Sequence, residues 1–308
     1  MVSIDEVTKS PLVLVVGDVM NDVVVRPQQP FARDTDTRSE IAVTGGGSGA
    51  NQAAWLGHLS GRARFAGRVG ADDVSAQRRA FEQYGVDARL AGDEVLPTGT
   101  VVSLLGPDGE HSMFTDRAAN AALSAENLDP SLLVDVTHLH VSGYTLFDDR
   151  SRAAVLALVA AAIATGIALS VDPASIAGLE EVGAPSFLQW TSDAELIFPN
   201  LDEGRFLSGL RAPSDVADAL VEAYPVVALK LGRDGCIVAA RGRGQPIRLP
   251  GAAEGVIDTT GAGDAFCAGF LAGWVRGADL FACAESAVRA ATEAVHSMGA
   301  RPSFGHND

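Results

Sequence analysis

Residues 256–270, Val-Ile-Asp-Thr-Thr-Gly-Ala-Gly-Asp-Ala-Phe-Cys-Ala-Gly-Phe, decide how this chain folds and where its chemistry lies. Asp264 stands just inside a predicted helix start, after Gly261-Ala262-Gly263, whose small side chains let backbone N–H groups approach a ligand. A helix N-terminus favours an anion because it presents unpaired donors and the positive end of the helix dipole. Asp264 therefore either caps the helix or lies beside a bound anion. A base beside an anion site is the geometry that phosphoryl transfer needs.

Composition narrows the function classes. The chain has 308 residues, of which 47% are hydrophobic and 20% charged, so it is expected to be globular with a substantial core. Its net charge of −16 argues against binding to nucleic acid or to an anionic membrane. The sequence contains no run of 18 apolar residues, so no membrane span is predicted. The first residues carry acids where a signal peptide needs positive charge, so a cytoplasmic location is expected.

The lysines exclude one kind of nucleotide site. Only Lys9 and Lys230 occur, and no glycine is followed by lysine, so the chain has no Walker-type P-loop. An acidic protein of this kind would have to bind a nucleotide through backbone N–H groups, a metal ion and a few arginines. The three cysteines, Cys236, Cys267 and Cys283, lack CxxC spacing and are expected to be buried free thiols.

The order of the predicted elements indicates the fold class. Leu12-Val13-Leu14-Val15-Val16 is a continuous apolar run, typical of a buried parallel strand. Similar runs follow near 63–69, 136–141, 167–171, 194–198 and 226–231, with helical patterns at 48–59, 72–84, 150–165, 200–208 and 213–223. This alternation predicts βαβ units in a doubly wound α/β sheet. Two further helices are expected, from near Ala262 to before Gly277 and from Asp279 to Gly299.

Two pairs of alternating segments interrupt this rhythm. Residues 22–26 pair with 38–44, and 98–105 pair with 111–115 across a strong turn signal at 107–110. No helix separates the strands of either pair. We expect one domain over 1–308 with a small β-sheet lid formed by insertions at about 20–44 and 95–117. The alternative is that these strands form an antiparallel edge of the main sheet.

The glycine cluster Gly45-Gly46-Gly47-Ser48-Gly49-Ala50-Asn51 leaves a second function class open. It matches the dinucleotide pattern G-x-G-x-x-A, with Asp72 about twenty residues later. The charges in the strand before it weaken that interpretation, and so does the first βα unit, which starts at Leu12 without the fingerprint. A flexible glycine turn is the third interpretation. His138 and His140 alternate on a strand and are expected to be sheet side chains rather than ligands.

Asp264 alone would suit a helix cap, but Thr259 and Thr260 already offer caps, and two glycines carry an entropic cost that a cap does not require. Residues 258–271 resemble the second signature of the ribokinase-like (PfkB) family of carbohydrate kinases, and residues 46–70 resemble the first. Further matches cover nearly the whole chain: Gly17-Asp18-Val19-Met20-Asn21-Asp22, Ala119-Asn120-Ala121-Ala122-Leu123, Pro199-Asn200-Leu201-Asp202-Glu203 and Leu231-Gly232-Arg233-Asp234-Gly235.

The resemblance implies a ribokinase-like three-layer α/β/α sandwich with a mostly parallel central sheet and a small β-sheet lid. It implies an ATP-dependent sugar kinase that uses Mg²⁺ and transfers the γ-phosphoryl group to a hydroxyl of ribose, fructose, 2-keto-3-deoxygluconate or a nucleoside. A homodimer through the lid would follow by analogy. A nicotinamide-dependent oxidoreductase using residues 45–50, or a non-catalytic sugar-binding regulator of the same fold, are the alternatives.

The resemblance also implies the roles of particular residues. Asp264 would be the catalytic base, and the N–H groups of Gly261, Ala262 and Gly263 would hold the charge on the transferred group. Glu203 would hold Mg²⁺ through water with Asn200, although the two also suit a surface cap pair. The substrate-binding residues would be Asp18, Asp22, Gly46, Gly47, Asn51, Arg117 and Asn120, although Arg117 also suits a salt bridge within the lid. The ATP-binding residues would be Asn200, Lys230, Gly232, Arg233 and Gly235, although Arg233 also suits a solvated turn. A monovalent cation such as K⁺ would use Asp258, Thr260, Val295, Met298, Gly299 and Ser303, although Asp258 also suits a turn cap.

Overall fold

A computed structural model describes residues 10–31, 33–60, 62–105, 111–252 and 254–303, and the side chain of His111 is not described. The turn predicted at 107–110, Lys9 and the N-terminal segment used for the location therefore lie outside the described residues. No helix within the described ranges has both the length and the apolar character of a membrane span.

The described residues form thirteen strands and ten α-helices. The strands are β1 Val13–Val16, β2 Met20–Pro27, β3 Ser39–Gly46, β4 Ala63–Gly70, β5 Val86–Asp93, β6 Gly99–Leu105, β7 His111–Asp116, β8 His138–Ser142, β9 Ala168–Asp172, β10 Leu196–Ile197, β11 Val226–Lys230, β12 Cys236–Ala240 and β13 Ile247–Leu249. The helices are α1 Ser48–Ser60, α2 Val74–Glu82, α3 Tyr144–Phe147, α4 Asp149–Ala164, α5 Ile176–Val182, α6 Ala184–Trp190, α7 Leu201–Ser208, α8 Pro213–Leu220, α9 Ala262–Trp274 and α10 Leu280–Ala294.

Nine strands form one sheet in the order β13-β12-β11-β10-β9-β8-β1-β4-β5. All neighbours are parallel except β11–β12 and β12–β13, which are antiparallel. The first strand of the chain is central, and Val13 lies opposite Ala63 on one side and His138 on the other. The chain therefore extends outward from β1 in both directions. This arrangement confirms the predicted α/β class with a mostly parallel sheet.

Helices cover both faces of this sheet, which gives the three-layer sandwich. Val13 and Val15 point into a core shared with α1, α9 and α10, while Leu14 and Val16 point into a core shared with α4 and the helices from α5 to α8. All four side chains are fully buried, as expected of a strand with a hydrophobic layer on each side. Alanines and glycines on α1 and α9 allow the two helices to approach closely over the sheet.

The interrupting segments form a separate four-stranded sheet, which we call the small sheet, in the order β3-β2-β6-β7. Within it β2 is antiparallel to β3 and parallel to β6, and β6 is antiparallel to β7. The alternative of an antiparallel edge of the main sheet is therefore wrong. The glycine cluster ends β3 in this small sheet and does not follow a parallel strand of a βαβ unit, so the dinucleotide fingerprint is wrong as well.

One helix boundary differs from the prediction. The helix expected to run to Gly299 ends at Ala294. The carbonyl of Val295 accepts the N–H of Ile257 at 2.8 Å, and the Gly299 N–H donates to Oδ2 of Asp258 at 3.0 Å. These bonds turn the chain after α10 toward the segment that precedes α9. The residues between 295 and 299 therefore form a loop beside the start of α9 rather than a further helical turn.

Candidate active site

A cavity of about 820 Å³ lies at the carboxyl ends of β1, β8, β9, β10 and β11. The chain leaves the central strand β1 in both directions, so this edge of the sheet is the topological switch point where open α/β sheets bind ligands. The small sheet covers one half of the cavity, and the loops around β11, β13 and α10 line the other half. We call these the acceptor half and the nucleotide half, after the ligands that the resemblance implies for their residues. The start of α9 lies between them.

Asp264 is the central side chain of the cavity. Its Oδ1 accepts the hydroxyl of Ser48 at 2.7 Å and the Nε2 of Gln52 at 3.3 Å, while its Oδ2 accepts the Nδ2 of Asn51 at 2.9 Å. All three donors stand in the first turn and a half of α1, so the glycine cluster delivers that helix end directly to the carboxylate. The carboxyl group does not cap its own helix, because no side chain caps α9.

Burial raises the pKa of Asp264 to about 7. The bonds from Ser48 and Asn51 and the ammonium of Lys230 lower the pKa, whereas the nearby Asp172 carboxylate raises it. A carboxyl group with a pKa near neutrality can accept a proton at physiological pH and release it again, which suits a general base.

The start of α9 offers an anion site beside this carboxylate. Gly261 precedes the helix with φ of +77°, and a Cβ there would stand 2.6 Å from Ala300, so only glycine fits. Within residues 254–303, the backbone N–H groups of Gly261, Gly263 and Asp264 have no backbone acceptor. The N–H of Ala262 instead donates to the Thr259 carbonyl at 3.3 Å, and its contribution to an anion site stays a prediction.

Lys230 adds a positive charge to the anion site. A Cβ on Gly263 would stand 3.6 Å from its Nζ, so the ammonium lies against the first turn of α9. Nζ donates to Oδ1 of Asp172 at 3.0 Å, and Oδ2 of Asp172 accepts Gln52 at 2.8 Å. The buried Asp172 carboxylate holds the pKa of Lys230 above its usual value despite desolvation. The only lysine of the described residues is therefore a fixed cation beside the N-terminus of α9.

Two residues that line the acceptor half carry buried acceptor atoms that have no partner within the described ranges. Oδ1 of Asp22 and Oδ1 of Asn51 are buried without a hydrogen-bond partner among the described residues, and both side chains line the cavity. Burial raises the pKa of Asp22 to about 6. Gly46 makes room for this carboxyl group, because a Cβ at position 46 would lie 2.0 Å from it. Two buried acceptors of this kind at one wall can each accept a hydrogen bond from a ligand donor.

The charged residues predicted to bind substrate pair with each other. Arg117 donates from Nε and Nη2 to the two oxygens of Asp18 at 2.7 and 2.8 Å, and its third nitrogen contacts Asp148. Arg117 thus forms a salt bridge, although with Asp18 and Asp148 outside the small sheet rather than within the expected lid, and its contact with a substrate anion stays a prediction. The prediction for Asn120 is corrected, since its amide bonds the backbone of Val19 at 3.0 and 2.9 Å and does not line the cavity.

In the nucleotide half, Asn200 and Glu203 form a capping box at the start of α7. The Asn200 side chain accepts the Glu203 N–H at 2.9 Å, and the Glu203 carboxylate accepts the Asn200 N–H at 2.8 Å. Glu203 is nevertheless 2% exposed and lines the cavity, and burial raises its pKa to about 7. A buried carboxyl group with raised pKa beside Lys230 is more than a surface cap. The remaining predicted nucleotide residues, Gly232, Arg233 and Gly235, line the same half.

Asp258 joins the two loops that carry the predicted cation ligands. Its Oδ1 accepts the N–H of Thr260 at 2.9 Å, and its Oδ2 accepts the N–H of Gly299. Asp258, Thr260, Val295 and Gly299 are thus neighbours, whereas Met298 is 49% exposed and Ser303 is exposed as well. The bonds fit the turn-cap interpretation, and they bring four of the six predicted ligands together.

The sequence did not predict several residues that lie in or beside the cavity. Gln52 and Asp172 contact Asp264 or Lys230, yet neither belongs to a motif that marks chemistry. Arg301 lies behind the glycine cluster, donates to the Gly46 carbonyl at 3.1 Å and lowers the pKa of Asp22. The signal for Gln52 was its place one residue after Asn51. Asp172 and Arg301 reach the site only through the order of the strands and the turn after α10.

Comparisons with known proteins agree with this geometry. A family model described as pfkB family carbohydrate kinase matches residues 10–306. An ATP-dependent ribose-1-phosphate kinase from Halopiger xanaduensis is 32% identical over 276 residues, covering 87% of this chain and 86% of that protein. The adenosine kinase from Sinorhizobium meliloti has a similar structure, with a TM-score of 0.86 at 23% identity over 96% of each chain. A structure described as a ribokinase II from Escherichia coli in complex with ATP and Mg²⁺ has a TM-score of 0.83 at 22% identity over 94% of each chain.

Proposed function

The chain belongs to the pfkB family of carbohydrate kinases, and from that premise we propose that Asp264 is the base of an ATP-dependent kinase acting on an uncharged sugar or nucleoside. The reaction class is phosphoryl transfer to an alcohol. The observation that carries the proposal is the position of Asp264, which lies between a wall of unpartnered acceptors and the free N–H groups at the start of α9.

Asp264 would accept the proton of the attacking hydroxyl. Ser48 and Asn51 orient its carboxylate, and its raised pKa matches the task because the hydroxyl becomes acidic only as its oxygen bonds to phosphorus. Asp22 and Asn51 would bind neighbouring hydroxyls through their unpartnered oxygens, which fixes the acceptor close to the base. Holding the acceptor in this position makes the reaction between the hydroxyl and the base effectively unimolecular.

The residues of the nucleotide half fit ATP with Mg²⁺. The N–H groups of Gly261 and Gly263 and the ammonium of Lys230 would stabilise charge on the transferred phosphoryl group. Mg²⁺ prefers few carboxylates, waters and phosphate oxygens, and Asn200 with Glu203 would hold it through water. When bound, the ion neutralises phosphate charge. The side chains of Val256, Val288 and Ala291 line the far end of this half and would contact the adenine.

The acceptor half favours a substrate without a charge. Its carboxylates are Asp18, Asp22 and Asp264, and its one lining cation, Arg117, is bonded to Asp18 and Asp148. Among the described residues that line this half, no cation remains free for a phosphate or carboxylate on the acceptor, and Arg301 lies behind the lining. We therefore propose ribose, fructose or a nucleoside as the acceptor class, in preference to 2-keto-3-deoxygluconate or a sugar phosphate.

An ADP-release assay with purified protein tests this proposal. Ribose, fructose and adenosine are compared with 2-keto-3-deoxygluconate and ribose 1-phosphate at equal concentration, with Mg²⁺ and ATP present. We expect turnover with at least one uncharged acceptor and at most weak turnover with the anionic ones. A clear preference for ribose 1-phosphate would refute the uncharged class. The absence of acceptor-dependent ADP release with all five compounds would refute the proposed kinase activity.

We also propose that a monovalent cation binds between Asp258 and the loop after α10. The carboxylate of Asp258 is 6% exposed and ties both loops together, so a cation there would stiffen the start of α9. The measurement is the rate of ADP release in K⁺ compared with the same ionic strength of tetramethylammonium. A rate that does not depend on K⁺ would refute this cation site.

The small sheet supports a homodimer, which we propose as the assembly. Side chains of a strand alternate between faces, so Val23 and Val43, which are paired across β2 and β3, point away from the cavity. Val102 and Phe114 continue this face across β6 and β7, and Phe114 is 61% exposed. A contiguous apolar face of this kind suits a second copy of the chain. Light scattering should give the dimer mass, Val43→Lys should give a monomer, and a monomeric wild type would refute the proposal.

We propose a cytoplasmic location on the basis of the cysteines. Cys236, Cys267 and Cys283 are all buried free thiols, as the sequence predicted, and such thiols suit a reducing compartment. An ATP-consuming reaction suits the same compartment. Fractionation of cells that produce the protein, with an enzyme of known location as the standard, would test this assignment, and recovery outside the cytosol would refute it.

A further inference from the structure

Behind the cavity, buried polar side chains form a continuous row of hydrogen bonds that begins at Asp264. Gln52 Nε2 lies 3.3 Å from Oδ1 of Asp264 and 2.8 Å from Oδ2 of Asp172. Gln52 Oε1 lies 3.1 Å from Nε2 of His140, whose Nδ1 lies 2.7 Å from the hydroxyl of Ser170. Gln52, His140 and Ser170 are all fully buried. The row therefore has no solvent to compensate a broken bond.

The chemistry of the partners fixes every proton in this row. Gln52 must turn its N–H groups toward the two carboxylates, because its carbonyl oxygen would be repelled there. The Ser48 hydroxyl, 3.2 Å from Nε2, shares one of these N–H groups with Asp264. The Oε1 of Gln52 can only accept, so His140 carries its proton on Nε2 and accepts at Nδ1. The Ser170 hydroxyl therefore donates to His140, and Ser170 in turn accepts Nε2 of His138 at 2.8 Å. The direction of donation runs from His138 through Ser170 and His140 to Gln52 and the carboxylates.

We propose that His140 is a positioning residue for the base Asp264, and that it acts by locking the amide of Gln52 with its donors toward Asp264 and Asp172. Without the Nε2–H of His140, the buried Oε1 of Gln52 would lack a donor, and the amide would shift away from Asp264, its most distant acceptor at 3.3 Å. The ionised form of Asp264 would then lose a donor. The role of Asp264 as a base rests on the proposed function. The locking of Gln52 rests only on the hydrogen bonds.

Substitution of His140 tests the hydrogen bond to Gln52 without a change of charge, because His140 is neutral. Burial lowers its pKa to about 3, and burial lowers that of His138 to about 4, so both are neutral imidazoles in the working range of pH. Replacing either one by a neutral residue leaves the charges around Asp264 unchanged. The titratable groups that face Asp264 are Asp172 on β9, Lys230 on β11, Tyr144 on α3 and Cys267 on α9 itself. Those that face His140 are His138 and Lys230.

Two substitutions of His140 by an amide side chain distinguish a role in positioning Gln52 from a role in packing. In His140→Asn, the shorter amide can reach Ser170 but not Gln52, so the lock is lost while the buried bond to Ser170 is kept. In His140→Gln, the longer amide can place its N–H where Nε2 stood, so the lock is restored. His138→Asn is the matched control, since His138 lies two residues away on the same strand, shares Ser170 and does not contact Gln52.

The direct measurement is the pKa of Asp264 by carbon NMR of protein labelled at aspartate carboxyls, with the signal assigned by its loss in Asp264→Asn. We expect the pKa to rise by about half a unit to one unit in His140→Asn, because the ionised form loses a donor. We expect wild-type values in His140→Gln and in His138→Asn. An unchanged pKa in His140→Asn, or an equal rise in His138→Asn, would overturn the proposal.

Kinetics give a second readout that a purely structural role would not move. In His140→Asn, the acidic limb of the kcat profile should move to higher pH, with kcat below neutrality lowered up to about tenfold and the acceptor KM unchanged. A fall in kcat by the same factor at every pH, with no movement of the limb, would overturn the proposal. If the wild type shows no kinase activity while the NMR shift appears, the proposed function fails and the locking of Gln52 stands.

Discussion

The substitution Asp264→Asn should stabilise the ligand-free protein at alkaline pH. The pKa of Asp264 rises from the model-peptide value of 3.8 to about 7 on folding, chiefly through burial. The folded state therefore binds more protons than the unfolded state between these values, and stability falls as pH rises through that window. The difference of about three units corresponds to about 4 kcal/mol of unfolding free energy above neutrality, and to about 2 kcal/mol if water in the cavity screens half of it.

The assay is urea unfolding of wild type and variant at about pH 5 and about pH 8, followed by tryptophan fluorescence. The other carboxyl groups with raised pKa, Asp22 and Glu203, are present in both proteins, so their contributions cancel in the difference. Only about two of the three pKa units lie between about pH 5 and the folded-state pKa, so the stability advantage of the variant should grow by about 1.4 to about 2.7 kcal/mol from the lower to the higher pH. Parallel stabilities at both pH values would refute the claim that folding desolvates this carboxylate.

Three further substitutions probe the walls of the cavity. Gly46→Ala places a methyl group 2.0 Å from the Asp22 carboxyl, so the acceptor KM should rise by about tenfold while the ATP KM stays constant, and an unchanged acceptor KM would contradict this contact. Lys230→Met leaves the Asp172 carboxylate buried without a cation, so thermal unfolding should show a loss of about 3–5 kcal/mol; a loss below about 1 kcal/mol would argue against the pair. Gly261→Ala forces a side chain into φ of +77°, which should cost about 1–3 kcal/mol in urea unfolding and lower kcat, whereas a neutral result would dispute the backbone geometry.

The sequence predicted the parts of the site that depend on backbone shape. Gly261 is informative in the sequence because no other residue permits the turn before α9. Asn51 and Asp264 stand at helix starts that the sequence patterns locate. The apolar runs likewise predicted the parallel strands, because burial on both faces leaves a continuous hydrophobic segment. The alternation of strands and helices then fixed the edge of the sheet where the cavity lies.

Other residues reach the site only through the strand order and side-chain pairing. Asp172 ends β9 and Lys230 ends β11, and the two side chains meet because only β10 lies between these strands. No local sequence pattern contains this strand order. Asp18 and Arg117 are 99 residues apart in the sequence, so their ion pair could not be predicted from a local pattern. The sequence alone therefore did not determine the role of Arg117. The end of α10 at Ala294 could not be predicted either, since the bonds from Gly299 and Ile257 that turn the chain are tertiary.

The most direct test of the central claim is the rate of phosphoryl transfer by Asp264→Asn with the best acceptor found for the wild type. Because the amide cannot accept the hydroxyl proton, kcat should fall by about a thousandfold. The affinity for ATP, measured by calorimetry, should stay within about twofold, since the N–H groups of α9 and Lys230 remain in place. A variant that retains more than about a tenth of the wild-type kcat would contradict the role of Asp264 as the catalytic base.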